Sequence, residues 1–579
     1  MFAADLLRRR GRRAGAPLRA EDCPLLATEV AFVPHGDDGN WIAMRQGVPS
    51  ARVSRAVVEL LTAMDGRTPL DRLHGRFAAS QPLDEFLRLV QRFRATGLLD
   101  GSATPPPGRW TYRAPLTVQF ATLRAPALFG RLHGLVASLP PRLIVMTAAA
   151  LVALGGIAAV LQLADIAAAA SSPVPLPSLV IVIGTLGLLT LLHETAHGLA
   201  LTRFGGSPRR AGIMLLYLTP AFFVDVTDGW RLSARRHRVG VALAGPAVHA
   251  VVGAGACLAA LVLPQRPIRL TLLLLAVACG VIVAVNLIPF VRFDGYLALM
   301  SALDEPNLRN RTIRDAAAWT ARVLFGGRRA SRSLDRWWSV PFGLASVAAP
   351  VMLVLFALAR AARALAAGGP ALGVLVVAGE GAIALVALHL VVRWLYRVHR
   401  SGVSTLRFVS VIAVALGTAA LAGVVVPVPS SIALGFSVRG DRVVLLQAGS
   451  RPAVDLPEGA QVTLLSNGFL VNDEIGRGTL RTRPPTRTTV APDALFPVTV
   501  DGVALSAVAV ADVKLTSSPT HLPLTGQARV DLGSRSVWQA LWTDAVLAPL
   551  SAPGDEHLPD EKRHGENQQD DTEKRDAHG

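Results

Sequence analysis

Apolar stretches of about twenty residues recur along the middle of this chain, between residues 143 and 428. A helix of about twenty apolar residues is long enough to cross the roughly 30 Å hydrocarbon layer of a bilayer. Of the 579 residues, 51% are hydrophobic, which excludes a disordered chain and disfavours a single soluble domain. The pattern therefore predicts a polytopic α-helical membrane protein with the lipid bilayer as its environment.

Seven membrane spans are expected from the positions of these stretches. Their approximate bounds are residues 143–163, 178–202, 239–263, 270–292, 340–360, 371–392 and 406–428. Arginine is concentrated in every second connection, because segments 201–238, 301–336 and 393–407 contain 7, 8 and 4 arginines, whereas 164–177, 264–269 and 360–370 contain 0, 2 and 2. Cytoplasmic loops of membrane proteins are enriched in basic residues, so we expect a cytoplasmic N-terminus and an extracytosolic C-terminus.

The basic charge of the chain indicates a genomic bias and not a nucleic-acid partner. Of the 58 basic residues, all except Lys514, Lys562 and Lys574 are arginine, a bias typical of GC-rich bacterial genomes, and we therefore expect a bacterial plasma membrane. The arginines lie in connections between spans and not along one face with interleaved aromatic residues, which disfavours nucleic-acid binding. Three cysteines, two of them within apolar spans, exclude a disulfide framework.

A small α+β domain is expected before the first span, over residues 29–101. Strand-like runs at 30–33, 41–45 and 52–53 precede three stretches of helical periodicity, 57–64, 70–77 and 83–93, and a short strand at 98–99. Residues 1–28 form a basic segment that lacks the apolar core of a signal peptide. Residues 102–142 are expected to link this domain to the membrane domain at 143–428.

An extracytosolic β-rich domain is expected after the last span, over residues 430–550. Alternating apolar and polar runs occur at 443–447, 461–465, 496–500, 507–513 and 528–532, and Gly, Pro and Asp separate them. From residue 551 to residue 579 the chain is highly charged and almost without apolar residues, which predicts a disordered tail.

The motif His193-Glu194-Thr195-Ala196-His197 lies at the end of the second predicted span. A spacing of four residues places both imidazoles on one helix face, where they can bind a Zn²⁺ ion, and the adjacent glutamate can act as a general base toward water. Ionisable groups within an apolar helix are costly unless they face a polar cavity or a metal. The alternative is that these side chains only satisfy a contact between helices.

A catalytic zinc site needs a third protein ligand, and Asp294 is our candidate. It follows the fourth predicted span, after Asn286-Leu287-Ile288-Pro289. The proline frees backbone groups, Asn286 can donate a hydrogen bond, and Gly295 allows another backbone to approach closely.

Two alternatives to this assignment stay open. Asp294 could act only as a helix-capping carboxylate at the boundary of the span. Asp225 and Asp228 are rival ligands, because they lie in the connection between the second and third spans.

Three motifs together resemble the site-2 proteases, a family of intramembrane zinc metallopeptidases. They are the His193–His197 motif, Leu243-Ala244-Gly245-Pro246 at the start of the next span, and Asn286 through Pro289 to Asp294-Gly295. They occur in the family's order on successive spans, and the match covers a core at about residues 178–300. The stretches 222–226, 294–299 and 306–309 resemble a bacterial branch of peptide zinc metalloproteases.

The resemblance implies one catalytic zinc ion and five site residues. The ligands would be His193, His197 and Asp294, the general base Glu194, and Asn286 would donate a hydrogen bond to the oxyanion or to the substrate backbone. Four residues after Gly245 the family often has asparagine, whereas this chain has His249. This departure affects an expected contact with the substrate backbone and not the metal site.

Residues 213–224 are expected to form a re-entrant β segment beside the metal. The stretch is apolar, contains Pro220 and is too short to cross the membrane and return as helices. A helical substrate must unwind locally before it can be cleaved, and an exposed strand can pair with the extended chain. The alternative is a surface helix that rests on the membrane.

The N-terminal domain resembles PqqD-like winged-helix domains, which often accompany the bacterial branch. Such domains capture a leader peptide as an added strand. Here we expect capture along residues 51–54, an edge that includes Ala51 and Ser54, and against the helix at 83–94, between Leu83 and Arg94. The alternative is a degenerate winged helix that only packs on the membrane domain.

The expected function is zinc-dependent intramembrane cleavage of a precursor peptide, with removal of its leader as in the maturation of daptide-like ribosomal natural products. Two alternatives stay open. One is regulated intramembrane proteolysis of a signalling protein, and the other is a non-catalytic peptide export or scaffold protein. None of these three functions explains Glu380, which lies in the sixth predicted span.

Overall fold

The computed structural model describes residues 18–35, 40–45, 48–100, 110–113, 117–216, 219–326, 333–334, 336–366, 370–449, 454–516 and 522–550. Most of the predicted basic segment and the whole predicted tail lie outside these residues. The chain divides into two compact units. The first contains the residues up to Ala153, Thr185–Val252 and Cys279–Pro306, and the second contains Leu154–Gly184, Gly253–Ala278 and the residues from Asn307 onward.

Three strands and three helices form the N-terminal part of the first unit. The strands Val30–His35, Asn40–Arg45 and Val48–Ser54 form an antiparallel sheet in this order. The helices are Arg55–Thr62, Leu70–Phe77 and Leu83–Ala95. Their apolar residues recur every three or four positions and therefore share one helix face. The core includes Leu60, Leu61, Met64, Leu70, Leu73, Phe86, Val90 and Phe93. The predicted strands at 30–53 and the three predicted helices are confirmed.

The predicted strand at residues 98–99 is wrong. Leu99 forms only an isolated bridge with Leu26, and the Leu98 carbonyl accepts a hydrogen bond from the Ala27 N–H. Both leucine side chains are buried in the core of the domain. The apolar pair therefore reflects burial of a connecting segment and not a strand.

Seven helices within the described residues are long and apolar enough to cross a membrane. They are Pro141–Leu161, Leu176–Arg203, Arg235–Val262, Arg266–Asn286, Ser339–Ala359, Leu372–Arg400 and Thr405–Val425, numbered here span 1 to span 7. Many of their large apolar side chains are exposed, as expected for helices that lipid surrounds. Their number matches the sequence prediction, and they indicate a multi-pass membrane protein.

Span 4 ends earlier than the sequence predicts. Its helix stops at Asn286, and residues 287–293 form turns before the helix Asp294–Leu303 begins. Pro289 explains the difference, because proline lacks the N–H that a continuing helix would need and disfavours helical geometry at the preceding residue. The apolar run therefore continues into a turn that leads directly to Asp294.

A four-stranded antiparallel sheet follows the N-terminal domain in the first unit. Its order is Trp110–Arg113, Thr117–Thr122, Ala211–Leu216 and Thr219–Val224. The last two strands form a hairpin, so the predicted strands at 213–224 are confirmed and the alternative of a surface helix is wrong. The segment predicted as a linker, 102–142, supplies the first two strands and the helix Ala125–Val136 and is therefore largely folded.

The second unit contains a closed β-barrel after span 7. Its strands follow the order Arg442–Ala448, Leu505–Leu515, Glu474–Val490, Gln461–Leu465, Thr525–Ser536 and Pro427–Arg439. The interior is apolar and contains Phe436, Leu445, Leu464 and Val530. The β-rich character of the C-terminal domain is confirmed. The predicted strand at 496–500 is only Val498–Thr499, which pairs in parallel with Val174–Pro175.

The remaining described helices connect or follow these elements. They include Leu163–Ala170, Leu308–Phe325, Val537–Trp542 and Ala548–Leu550, and the helices of span 5 and span 6 have full bounds of Ser339–Ala366 and Pro370–Arg400. Glu380 is half-buried in span 6, and its Oε2 atom has no hydrogen-bond partner among the described residues.

Candidate metal centre

Span 2 brings two histidines to one point. His193 and His197 are one helical turn apart, and both side chains are buried. Their rings meet edge to face with centroids 4.8 Å apart, and the two Nε2 atoms are 3.2 Å apart. The spacing of four residues therefore produces the shared face that the sequence predicts.

Asp294 reaches the same point from the start of the helix Asp294–Leu303, which follows span 4. One of its carboxylate oxygens lies 3.0 Å from His193 Nε2, and the other lies 3.4 Å from His197 Nε2. Within the described residues, these three side chains form the group that could hold a metal ion, and their ligand atoms all lie within 4.8 Å of one another.

These distances fit the ligands of a single small divalent cation. Zinc binds histidine nitrogen and carboxylate oxygen at about 2.0–2.2 Å, so two ligands of one tetrahedral ion are about 3.3–3.6 Å apart. The observed separations of 3.2, 3.0 and 3.4 Å lie within a few tenths of an ångström of that range. Two imidazoles and a carboxylate also suit several other divalent metals.

The hydrogen bond of His197 selects the tautomer that a metal ligand needs. His197 Nδ1 lies 2.6 Å from the Val241 carbonyl oxygen, so the Nδ1–H donates to this oxygen and Nε2 carries a lone pair. That lone pair is directed toward His193 Nε2 and the Asp294 carboxylate. His197 Nε2 and the Asp294 carboxylate are both acceptors, and their close approach is unfavourable without a cation or a proton between them.

The electrostatics of Asp294 agree with this arrangement. Burial alone would raise the pKa of its carboxyl group, but the adjacent rings of His193 and His197 lower that pKa to about 2. The group is therefore a carboxylate at neutral pH. A carboxylate is the form that coordinates a metal.

Span 3 approaches the ligands through a glycine. A Cβ atom on Gly245 would lie 2.3 Å from His197 Nε2 and 2.5 Å from His193 Nε2. Any side chain at this position would occupy the space next to the ligand atoms. The Leu243–Pro246 motif therefore has a direct steric reason for its glycine.

A second glycine keeps Asp294 in place. A Cβ atom on Gly295 would lie 2.4 Å from the Leu287 carbonyl oxygen and 2.6 Å from the Leu287 Cα atom. The close backbone approach that the sequence predicts at Gly295 is confirmed. It folds the turn after span 4 tightly against the helix that begins with Asp294.

Glu194 lies beside this cluster and is held by the hairpin. Its Oε2 atom accepts a hydrogen bond of 3.0 Å from the backbone N–H of Val224, the last residue of the strand Thr219–Val224. Glu194, His197 and Asp294 line one cavity of about 320 Å³. A carboxylate beside the three ligand side chains can accept a proton from water in that cavity.

The other predicted site residues have hydrogen-bond partners of their own. Asn286 uses its Nδ2 atom to donate to the Ile282 carbonyl, one turn earlier in span 4, and its role toward substrate stays a prediction. Asp225 lines the cavity, and its Oδ1 atom accepts from the Thr227 N–H. Asp228 is fully buried and accepts from the Ser207 N–H, so neither rival aspartate joins the two histidines.

Three contributors to the site have little or no signature in the sequence. The Val241 carbonyl and the Val224 N–H are backbone groups, which any residue would supply. His249 is buried with its ring centroid 5.4 Å from that of His193, and its Nδ1 atom has no hydrogen-bond partner among the described residues. Its position four residues after Gly245 is the signal by which the sequence singles it out, but not for a contact with His193.

No protein-family model matches this chain, and neither a curated protein nor a solved structure matches it.

Proposed function

We propose that this protein is a zinc-dependent intramembrane endopeptidase of the site-2 protease type. The observation that carries the proposal is the convergence of His193, His197 and Asp294 on one point, with Glu194 beside them on a shared cavity. A pair of histidines, a carboxylate and a neighbouring glutamate is the set of groups that metal-assisted peptide hydrolysis requires.

The surroundings of the site support cleavage within the membrane. His193 and His197 belong to span 2, which is otherwise strongly apolar. Buried ionisable groups in such a helix are rare and mark functional sites. With the arginine-rich connections in the cytoplasm, as we propose, the cluster lies near the cytoplasmic ends of spans 2 and 4 in a bacterial plasma membrane.

The reaction would use groups that the chain supplies itself. A bound zinc ion supplies Lewis acidity, which polarises a carbonyl and makes water more acidic. Glu194 takes the proton of the attacking water and later gives it to the leaving amine nitrogen. The Val224 N–H holds the Glu194 carboxylate toward the cavity, and the Val241 carbonyl keeps His197 in its ligand tautomer. Asn286 would stabilise the oxyanion after a rotation away from the Ile282 carbonyl.

The hairpin offers a place for the substrate chain. Thr219–Val224 is the last strand of its four-stranded sheet, and it ends at the residue that binds Glu194. An extended peptide that pairs with this strand would run toward the metal centre. Strand addition would also satisfy the backbone groups that a substrate helix exposes when it unwinds.

The N-terminal domain supports a peptide precursor as the substrate. Val48–Ser54 is one of the two edge strands of its sheet, and this strand lies against the turn Thr227–Arg231, part of which lines the cavity. A leader captured along residues 51–54 and the helix Leu83–Ala95 would therefore be close to the site of cleavage. We therefore propose removal of a leader from a ribosomally made peptide, as in daptide-type maturation, and this arrangement supports the proposal.

A comparison of cellular peptides tests the proposal. Small peptides from cells that carry either the wild-type protein or Glu194→Gln would be analysed by mass spectrometry. We expect a processed peptide in the wild type that is absent in the variant, with unprocessed precursor accumulating in its place. The purified variant should retain its metal, because glutamine removes the base and not a ligand.

Glu59→Gln serves as the matched control for this experiment. Glu59 is exposed in the N-terminal domain, and among the described residues its carboxylate pairs with Arg55 of its own helix. This variant should process the precursor as the wild type does. Normal processing by Glu194→Gln would refute the role of Glu194 as the base. If cells with Glu194→Gln lack a fragment of a signalling protein that wild-type cells contain, and small peptides are unchanged, the result would favour regulated intramembrane proteolysis.

A further inference from the structure

A short helix lies just before span 1 in the chain. It covers Ala125–Val136, between the strand Thr117–Thr122 and the first residue of span 1, Pro141. With 12 residues it is too short to cross a bilayer, because a crossing helix needs about twenty residues. The proposed cleavage reaction uses none of its side chains.

One side of this helix is fixed to span 2. Ala125 and Phe129 are fully buried, and Leu132 packs with them in the same apolar cluster. A Cβ atom on Gly198 would lie 2.3 Å from the Phe129 Cε1 atom, so the aromatic ring lies directly on this glycine. Gly198 follows His197 in the chain. The short helix therefore packs on span 2 immediately after the second histidine of the metal centre.

The last residue of span 2 holds the end of the short helix. Arg203 donates from Nη2 to the Leu139 carbonyl at 2.6 Å and from Nη1 to the Val136 carbonyl at 3.3 Å. The last carbonyls of a helix have no partner within the helix, and a basic side chain both satisfies them and complements the helix dipole. The contacts at Gly198 and Arg203 together fix the orientation of the helix.

A second side of the helix is exposed and combines leucine with arginine. Its residues are spaced by four, three and four positions, which places them in one row along the helix. We call this row the exposed stripe, and it consists of Arg124, Leu128, Arg131 and Leu135. The two leucines are 47% and 78% exposed, and both arginines are exposed as well. Two large apolar side chains are thus left without cover on a helix that cannot rotate.

The third side of the helix consists of small residues. Ala127, Gly130 and Gly134 are exposed, and a Cβ atom on either glycine would meet nothing within 4 Å. At 3.6 residues per turn, the exposed stripe lies about 100° from the buried side and about 100° from this small side. The helix therefore has one side for the protein, one with apolar and basic groups, and one without large apolar groups that suits water.

The exposed stripe continues into the apolar surface of span 1. Leu139, Leu143 and Ile144 follow it and are exposed, and Arg142 lies among them. The first turn of a membrane span lies at the level of the lipid headgroups, so the stripe lies where the chain enters the bilayer. At that level leucine reaches the acyl chains, and arginine extends its guanidinium group toward phosphate. This continuity favours lipid over a protein partner for the stripe.

We propose that the exposed stripe binds anionic phospholipids at the membrane surface where span 1 begins. The leucines contact the upper part of the acyl chains, and the guanidinium groups of Arg124 and Arg131 pair with the phosphate oxygens. This inference goes beyond the proposed peptidase function and does not depend on it. Because Gly198 and Arg203 fix the helix, a lipid bound here lies beside the end of span 2 that carries the metal centre.

Fluorescent labels on single cysteines test which side of the helix contacts lipid. The full-length Cys23→Ser protein retains Cys257 and Cys279, which are buried. It would carry Leu135→Cys or Gly134→Cys, labelled with bimane, in phosphatidylcholine nanodiscs with lipids brominated near the acyl carbonyl. We expect quenching at position 135 to be about threefold or more stronger than at position 134. Gly134 is the matched control, because it is the next residue in the helix and has open space around it.

Spin-labelled lipids test the preference for an anionic headgroup. Phosphatidylglycerol or phosphatidylcholine with a nitroxide on the acyl chain would be added in small amounts to the same nanodiscs without bromine. We expect phosphatidylglycerol to be enriched about fivefold or more at position 135, since each basic group near an anionic lipid strengthens its binding by about that factor.

The combined replacement of Arg124→Gln and Arg131→Gln should abolish the preference for phosphatidylglycerol. Quenching by brominated phosphatidylcholine should stay as it was, which reports that the leucines still contact lipid and that the helix is in place. Arg236→Gln is the control, because Arg236 is an exposed arginine at the start of another span of the first unit. It should leave the enrichment at position 135 unchanged.

Three results would overturn the inference. Equal quenching at positions 134 and 135 would show that the stripe does not face lipid, and a label at 135 that is shielded from water but not quenched would show that protein covers it. Equal quenching by the two spin-labelled lipids would exclude the anionic preference. An equal loss of enrichment in Arg236→Gln and in the double variant would assign the preference to the overall charge. Zinc content and precursor processing report on the proposed peptidase separately.

Discussion

Gly245 and His197 are so close that a single methyl group cannot be placed between them. A Cβ atom on Gly245 would be 2.3 Å from His197 Nε2, well inside van der Waals contact. The glycine lies on span 3 and the histidine on span 2, so the absence of a side chain lets the two spans approach at the ligand atoms. The proposed metal centre therefore depends on span 3 although this span supplies no ligand side chain.

Gly245→Ala should consequently impair metal binding while the protein remains folded. The added methyl group would displace both imidazoles from the geometry that one cation needs, and we expect zinc affinity to fall about tenfold or more. Zinc content after dialysis against a graded series of chelator concentrations measures this effect.

Gly255→Ala is the matched control for that prediction. Gly255 lies on the same span, and a Cβ atom there would meet nothing within 4 Å. The control should bind zinc as the wild type does and have equal or slightly higher stability, because alanine favours the helix. Equal zinc affinity of Gly245→Ala and wild type would contradict the steric argument.

Replacement of Asp294 by alanine should remove one of the three ligands. Zinc affinity is expected to fall by about 100-fold or more, since loss of even an outer partner of a ligand often costs 10- to 100-fold. Asp225→Ala provides the comparison, because Asp225 lines the same cavity but does not join the cluster. Metal analysis of both purified variants decides the assignment. Unchanged zinc stoichiometry in Asp294→Ala would transfer the ligand role to Asp225 or Asp228.

Arg52→Ala should loosen the N-terminal domain. Arg52, in the edge strand Val48–Ser54, has its Nη1 atom 2.9 Å from an Asp304 carboxylate oxygen, and both side chains are partly shielded from water. A partly exposed ion pair of this kind contributes about 1 kcal/mol, which corresponds to roughly a fivefold change in the open population. Limited proteolysis should therefore release the domain about fivefold faster in the variant.

Arg55→Ala is the matched control for the proteolysis experiment with Arg52→Ala. Arg55 is three residues further along the chain and is strongly exposed, and its ion pair within the described part of the chain is with Glu59 of its own helix. Its replacement should leave the rate of proteolysis unchanged. If Arg52→Ala and Arg55→Ala release the domain at the same rate, the pair with Asp304 does not hold the domain in place.

The sequence predicts those parts of the molecule whose signal is local. Helical periodicity gives the spans and the shared face of His193 and His197, and the proline and glycine around Asp294 indicate a turn at that point. The Gly295 contact with Leu287 agrees with this interpretation. In each case the residues that carry the signal are neighbours in the chain.

Elements that depend on partners far away along the chain could not be predicted from the sequence. The strand Glu474–Val490 is rich in arginine and threonine and contains two prolines, so it lacks the apolar alternation of a typical strand. It is stabilised by pairing with Leu505–Leu515, and the register shifts between Thr482 and Thr486, where the prolines lie. The strand Thr117–Thr122 likewise pairs with Ala211–Leu216, about ninety residues away along the chain.

The hydrogen bonds around the Asp315 carboxyl group lead us to expect that the stability of the second unit depends on pH. Burial would raise the pKa of its carboxyl group, but the Ser339 hydroxyl and the backbone N–H groups of Ser333 and Leu334 donate to it and lower the pKa below its ordinary value. A lowered pKa means that the folded state prefers the charged form. The stabilisation is therefore present above the ordinary aspartate pKa of about 3.9 and is lost as the pH falls through the folded-state pKa.

Asp315→Asn should be less stable than the wild type by about 1–3 kcal/mol at pH 7, because an amide cannot accept all three hydrogen bonds as a carboxylate does. The difference in unfolding free energy between the two proteins should shrink as the pH is lowered from 5 toward 2, since protonation removes the same charge from the wild type. Unfolding curves in detergent at a series of pH values measure this difference. Asp531→Asn is the control, because Asp531 is exposed and, as far as the structure describes the chain, its carboxylate accepts from the Gly533 N–H in its own turn. A difference for Asp315→Asn that stays constant from pH 7 to pH 2 would show that the carboxylate charge does not stabilise this part of the fold.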